Sequence, residues 1–354
     1  MGGVRRHNAE LLPRAAELLA AEGGELVLME GRSPIAFELS AKIRRLPSAV
    51  PASPPAIRAS FEGRALRQAL ITEEAAGRQI DLVHLGHMPA PRSLPVPHTH
   101  TIHDLRLLKS AHTPMSRRLV SRHVVGAAIK GAALVITVSE LVKEQLREQF
   151  NLDPERVRVV PNGSDHLEVL PRKKDHSGPL LCVGHLEQRK NVKLLIEALA
   201  LDHQLGELVL IGAPKAGEEA RLKELAASRG VSERVRFAGV VDDAELTRLY
   251  AECAACVFPS KLEGFGIGVA EAMRAGAPVA IARGTAMDEV SQGRCAEFDS
   301  DDPADCAGAI HRAIKSSPEQ LRSAEERSAT FSWDKSAEAL VSAWRTAAEK
   351  KASD

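Results

Sequence analysis

The 354-residue sequence is poor in aromatic side chains: they make up 3% of it, with a single tyrosine and two tryptophans. Leu, Val, Ile and Ala must therefore build the cores. No run of about 18 apolar residues occurs, so no transmembrane helix is expected. The opening MGGVRRHNAELL lacks the apolar core of a secretory signal. Five scattered cysteines do not form a disulfide framework. A cytoplasmic, soluble protein is the expectation from these absences. Net charge is also lacking, with 47 basic against 47 acidic residues. Its distribution is uneven: residues 1–165 hold 22 basic and 17 acidic groups, and residues 166–354 hold 25 and 30. A basic first half can face an anionic acceptor or membrane surface, although an imbalance of five charges is also an ordinary accident of sequence.

What is present is alternation. Two domains are the better prior at this length. ELVLME (25–30), DLVHLG (81–86), THTIHD (99–104), ALVITVS (133–139) and VRVVPNG (157–163) read as strands. A second series follows with PLLCVG (179–184), ELVLIG (207–212), VRFAGV (235–240), ACVFPS (255–260) and APVAIA (277–282). Helical patterns such as LVKEQLREQF and AELTRLYAECA lie between most of them. Strand–helix alternation predicts parallel sheets covered by helices. LEVLPRKKDHSGP (167–179) has charge, prolines and a glycine but no periodicity, which is a linker signature, and VPASPPA (50–56) marks a loop. The expected architecture is α/β, with two Rossmann-like domains and a cleft between them. Residues 1–165 and 166–330 form the two domains, and 331–354 a terminal helix.

The stretch KLEGFGIGVAEAMRAGAPVA (261–280) carries two glutamates, Glu263 and Glu271, around a glycine-rich helix start near Gly266. A helix N-terminus suits a phosphate or diphosphate, and Gly264, Gly266 and Gly268 let the backbone approach closely. Eight residues of helix would span roughly 12 Å, enough to put one carboxylate on each side of a diphosphate. Each can accept hydrogen bonds from paired hydroxyls, one set on a ribose and the other on a hexose. The plainer alternative is a capped amphipathic helix with an incidental acid. Arg189 and Lys190 in LLCVGHLEQRKNVKLLIEAL (180–199) lie at a second strand–turn–helix. Adjacent cations there would neutralise a departing phosphate, or form a solvated basic turn.

In this order, the E-G-F-G-x-x-x-x-E arrangement, RKN and HTIHD resemble the retaining GT-B glycosyltransferases of family 4, group 1. The resemblance runs from about Asp81 to Trp344, through DLVHLGHMPAP, LVITVSELVKEQL, VRVVPNGSD, VRFAGVVDDAEL and FSWDKSAEAL. It implies a GT-B fold whose C-terminal helix crosses back to the first domain. It implies glycosyl transfer from a nucleoside diphosphate sugar to a hydroxyl acceptor, a glycan or lipid-linked precursor, with retention and without a metal or other cofactor. Glu263 then matches the acid near the donor-sugar hydroxyls, and Glu271 the acid that holds the ribose. Gly264, Phe265, Gly266 and Ile267 match the backbone around sugar and diphosphate. Arg189 and Lys190 match the diphosphate cations, with Gly184 beside them. His103 matches the histidine that faces the reacting carbon, and Val240 and Val241 the loop against the base. Gly2 and Gly3 match the glycine-rich loop facing the diphosphate and acceptor, although the strand that usually precedes that loop is absent. His185 stands where many relatives carry arginine.

Other signals are set aside. His98 and His100 share a strand face, but no second ligand pair with zinc spacing accompanies them. Cys253 and Cys256 form an isolated CxxC that reads as two buried thiols. Asp299-Ser300-Asp301 reads as the capping region of a helix. MSRRLVSRHVVGAAIK (115–130) is basic and amphipathic; it reads first as a surface helix and second as a peripheral contact with anionic lipid. Nucleic acid is not an expected partner. A sugar-nucleotide epimerase and a GT-B protein that binds without turnover are the competing functions.

Overall fold

Runs that are apolar at every position, such as LVLI, ACVF and VAIA, suit strands covered on both faces, and here each forms the buried interior of a parallel sheet. The computed structural model describes residues 2–350 apart from 33–38, 52–54, 88–90, 92, 110–114, 173–176 and 216. The chain divides into two units. One comprises His7–Pro161 with Trp333–Asp354, and the other Met1–Arg6 with Asn162–Ser332.

The first unit contains most of α1 (Gly3–Ala21), then β1 (Leu26–Glu30), β2 (Ile43–Pro47), α2 (Pro55–Ala75), β3 (Val83–Leu85) and β4 (His98–Ile102). After these come α3 (Arg106–Lys109), α4 (Met115–Gly131), β5 (Leu134–Thr137), α5 (Glu140–Phe150) and β6 (Val157–Val159). Strands β3-β4-β5-β6 form one parallel sheet in that order, and β1 pairs only with β2 in a separate two-stranded sheet. That pairing differs from the expected single series. IRRLP does not read as a strand because its centre is charged. It holds because Arg44 reaches back to the buried carboxylate of Glu73 at 2.6 Å, with Arg78 on the same carboxylate at 2.8 Å. The core packs Ile102, Val135 and Val157 of the sheet against Val125 and Ile129 of α4 and Leu146 of α5. Ser139 caps α5 by accepting from the Val142 N–H.

The second unit contains β7 (Leu180–Val183), α6 (Val192–Leu201), β8 (Leu208–Ile211), α7 (Glu218–Ser228), β9 (Val235–Gly239), α8 (Asp243–Glu252) and β10 (Ala255–Phe258). It continues with α9 (Ile267–Arg274), β11 (Val279–Ala282), α10 (Ala286–Ser291), β12 (Ala296–Phe298), α11 (Pro303–Ile314) and α12 (Pro318–Ala329). The six strands are all parallel and run β9-β8-β7-β10-β11-β12. Counted from β7, that is the 3-2-1-4-5-6 order of nucleotide-binding sheets. Its direction reverses between β7 and β10, which opens a crevice beyond their carboxyl ends. The edge strand β12 is only AEF, too short to stand out in the sequence.

The last helix, α13 (Trp333–Glu349), belongs to the first unit, where Trp333 and Leu340 are buried and Trp344 lies 5.1 Å from the ring of His84. No helix among the described residues is long and apolar enough to cross a membrane. The side chains at the start of α4 (115–120), residues 52–54 of the VPASPPA stretch and residues 173–176 of the expected linker lie outside the described residues.

Candidate functional site

Strand β7 is followed by Gly184, whose φ of +144° only glycine adopts easily; a Cβ there would lie 3.4 Å from Lys190 Nζ. His185 follows. A single 3-10 turn, Gln188–Lys190, then leads through Asn191 into α6. Asn191 has φ +55°, and its side-chain amide donates to the carbonyls of Pro259 (3.2 Å) and Ser300 (2.8 Å). The Lys261 N–H donates to Arg189 O at 2.9 Å. These bonds tie the turn after β7 to the end of β10, and between them Gly184, His185, Lys190, Pro259 and Ser260 line a small cavity at the switch point.

The cations at this edge are already paired. Lys190 Nζ lies 2.5 Å from Glu263 Oε1, and Arg189 Nη1 lies 3.3 Å from Glu263 Oε2 and 2.8 Å from Leu262 O. Arg189 also meets Glu187 at 2.6 Å, and Glu187 meets Lys215 at 2.5 Å. Charges therefore alternate in an unbroken row: Lys215, Glu187, Arg189, Glu263, Lys190. Burial opposes ionisation of Glu263, but Lys190 and Arg189 outweigh it and hold the carboxyl below its ordinary range. Burial, followed by Lys215, lowers the His185 imidazole, against the smaller opposing pull of Glu187.

Gly266, at φ +96°, turns the chain into α9; a Cβ there would meet Met287 Cγ at 2.9 Å. Phe265 is buried edge-on against Phe331, 5.3 Å between ring centroids. Gly264 is buried beside it, and Ile267 is the first residue of α9. One turn further on, Glu271 is 7% exposed. Its Oε2 accepts from the Tyr250 hydroxyl at 3.0 Å, and its Oε1 lies 3.0 Å from His166 Nε2.

The expected residues Gly184, Arg189, Lys190, Glu263, Gly264, Phe265, Gly266, Ile267 and Glu271 thus belong to the loops and helix at one edge of the second unit. Val240 and Val241 follow β9 at the same sheet edge, and Val240 is 68% exposed. At the amino terminus it is Gly2 rather than Gly3 that closes on this edge. A Cβ on Gly2 would sit 2.6 Å from His185 Cε1, whereas one on Gly3 would meet nothing within 4 Å. Tyr250, His166, Glu187 and Asn191 were not visible as site residues. Tyr250 and His166 lie outside the glycine-rich stretch that carries Glu271, and only the fold brings them to it.

His103 lies in the first unit, just after β4. Its ring meets that of His7 edge-on at 4.6 Å, and its Nε2 is buried without a hydrogen-bond partner. Burial, then His7, pushes it well below the ordinary imidazole range against a hydrogen bond to the Gly86 backbone, so the ring is neutral at pH 7. His98 and His100 do share a face, 5.4 Å apart, but among the described residues no group of three or more His, Cys, Asp or Glu is placed to hold a metal ion. Cys253 and Cys256 are buried free thiols 3.7 Å apart. Asp299 and Asp301 sit before α11, whose N-cap is Asp302, and Asp301 pairs with Lys261.

Two family models tile the chain. The Glycosyltransferase Family 4 model matches residues 1–166, and the Glycosyl transferases group 1 model matches residues 171–330. The chain belongs to the group 1, family 4 glycosyltransferases. A D-inositol 3-phosphate glycosyltransferase of Geodermatophilus obscurus is 33% identical over 294 residues, which cover 73% of this chain and 63% of that protein. The chain thus spans less than two thirds of the length of this curated relative. Among solved structures, the sucrose-phosphate synthase of Thermosynechococcus elongatus superposes with a TM-score of 0.76 at 21% identity, covering 96% of this chain and 92% of that one. Anabaena HepE in complex with UDP-glucose superposes with a TM-score of 0.69 at 18% identity, covering 100% and 97%. At these identities the likeness establishes the fold, GT-B with two Rossmann-like domains.

Proposed function

We propose that this family member transfers a glycosyl group from a nucleoside diphosphate sugar to a hydroxyl of a glycan or glycolipid precursor, with retention of anomeric configuration and without a metal. The observation that carries the reading is the switch-point crevice of the second unit. It combines two close-approach glycines, two adjacent cations, a helix start and two held carboxylates.

In this reading the donor diphosphate enters beside Gly184 and the start of α9 and replaces Glu263 as the partner of Lys190 and Arg189. Glu263, displaced from its cations, turns its acceptor oxygens to the sugar hydroxyls. Glu271 takes the ribose hydroxyls, and the base lies along Val240 and Val241. Gly2 and His185 close over the diphosphate. As the anomeric carbon–oxygen bond breaks, the two cations and the α9 N–H groups stabilise the charge that collects on the leaving diphosphate. A diphosphate oxygen takes the proton of the incoming hydroxyl, and the new carbon–oxygen bond forms on the face the leaving group vacates. We assign the neutral His103 to a hydrogen bond with a hydroxyl of the transferring sugar.

The test begins with thermal-shift screening against UDP-, GDP-, ADP- and dTDP-sugars. A donor that stabilises the protein should slowly release nucleoside diphosphate, and proton NMR of a product made with a hydroxyl acceptor should show the donor's anomeric configuration. Saturable binding without any nucleotide release would leave a binding protein instead.

A further inference from the structure

We propose that Tyr250 and His166 are positioning residues that hold the Glu271 carboxylate in the orientation in which it receives a sugar hydroxyl pair. The inference rests on the reading of Glu271 as the ribose acceptor and names what makes that acceptor work.

Tyr250 is the one tyrosine of the sequence, and it is completely buried. Packing alone would be met by phenylalanine; the hydroxyl is explained by its bond to Glu271 Oε2. Burial, then the Glu271 charge, raises the phenol well above its ordinary range, so it stays protonated and donates to the carboxylate. The backbone of Tyr250 is itself fixed, its carbonyl accepting from Arg172 Nη1 at 2.5 Å and from Cys253 Sγ at 3.3 Å. His166 flanks the other oxygen. Its segment is pinned by Ser164, whose N–H donates to Phe331 O at 3.1 Å and whose Oγ lies 2.9 Å from Ser328 Oγ. Ser328 Oγ in turn donates to Ala270 O at 2.6 Å, directly before Glu271 in the chain. The backbone leading into Glu271 is thus fixed by one set of bonds, and its carboxylate by the Tyr250 hydroxyl on one oxygen and close approach of the His166 ring to the other.

An ionised carboxylate has about four acceptor directions. One is occupied by Tyr250 and one faces His166, leaving about two for a ligand. A freely rotating carboxylate would lose rotamer freedom on accepting a diol, and this one has largely lost it already. The arrangement therefore favours a ligand with two adjacent hydroxyls over one with none.

The experiment measures calorimetric affinities of the nucleoside diphosphate chosen by the donor screen, its 2′,3′-dideoxy form and inorganic pyrophosphate. The proteins are wild type, Tyr250→Phe, His166→Gln and Glu271→Gln, each first checked by thermal unfolding. Tyr250→Phe should weaken the nucleoside diphosphate about tenfold, leave pyrophosphate unchanged and shrink the wild-type penalty for the dideoxy form. His166→Gln, which keeps a donor, should fall between Tyr250→Phe and wild type, and it serves as the readout if Tyr250→Phe fails to fold. If Glu271→Gln binds all three ligands as wild type does, the ribose reading itself fails. If Glu271→Gln weakens the nucleotide but the other two variants keep the full dideoxy penalty, or lose pyrophosphate equally, the two residues are merely structural and the proposal is overturned.

Discussion

The sheet edge of the second unit and the central strand of the first handle polar side chains in opposite ways. In the second unit the polar edge of the sheet carries a row of paired charges, three cations alternating with two acids: Lys215, Glu187, Arg189, Glu263, Lys190. In the first unit the central strand β4 is buried at every position and carries His98, Thr99, His100 and Thr101. Its imidazoles, with those of His84 and His103, are held neutral by burial. One keeps ion pairs, which the proposed donor diphosphate would exchange for its own. The other keeps uncharged hydrogen-bonding groups whose state does not change around pH 7. Both follow from the cost of burying a charge, which a partner offsets in one case and deprotonation avoids in the other.

The largest effect should come from breaking the charged row at its donor end. Lys190→Ala leaves Glu263 with one cation fewer and the diphosphate with none at that position. Turnover with the screened donor should fall by a factor on the order of 10³ in kcat/KM, as for loss of a charge-stabilising group in a transition state. Glu263→Gln sharpens the contrast because its two readouts should move apart. Removing the resident counter-ion should leave calorimetric binding of the free nucleoside diphosphate unchanged or tighter, while transfer drops by about 10². Parallel loss of both would contradict the exchange of partners. His103→Ala probes the neutral side. It should lower transfer by roughly 10- to 100-fold with nucleoside diphosphate affinity unchanged, and equal loss of the two would remove His103 from the reacting sugar.

A fourth prediction concerns acid. His84 and His100 are held at about 3 by burial. Their folded values lie below the ordinary unfolded value of about 6.5, so the unfolded chain binds more protons as pH falls. Stability is therefore full above about pH 6.5 and declines toward pH 3. Each of the two should contribute a loss of roughly 2 kcal/mol at pH 5. Thermal unfolding in a pH series should show the decline, and His100→Leu should flatten it. The smallest effect is expected at Asp301, whose pairing with Lys261 is exposed. Asp301→Ala should leave the thermal unfolding temperature essentially unchanged and turnover insensitive to chelators.

The cost of burying polar groups also governed what was legible in the sequence. Strands that are apolar throughout, such as LVLI and ACVF, could be read directly, because a parallel sheet covered on both faces admits little else. IRRLP and AEF could not, since a strand at a sheet edge can carry charge, and the partner that stabilises Arg44 is Glu73, on another element. The acids and cations of the site were visible as residue types at telling positions. Their mutual pairing was not: spacing placed Arg189 and Lys190 toward a ligand, and the fold places them on Glu263. Nor was the buried hold on Glu271 visible, because Tyr250 sits on the helix before β10 and His166 in the segment after β6.

Consider finally what the alternating row means for a stray anion. Orthophosphate or a nucleic-acid backbone approaching this edge meets three cations offset by two acids, and the central cation, Arg189, has an acid on both sides. To gain a cation it must first evict a carboxylate, and it offers that carboxylate nothing in return. A ligand bearing both a diphosphate and a ring of hydroxyls satisfies the cations and the evicted acid in the same event. On the proposed reading, selectivity against simple anions is set by this pairing of cations with acids.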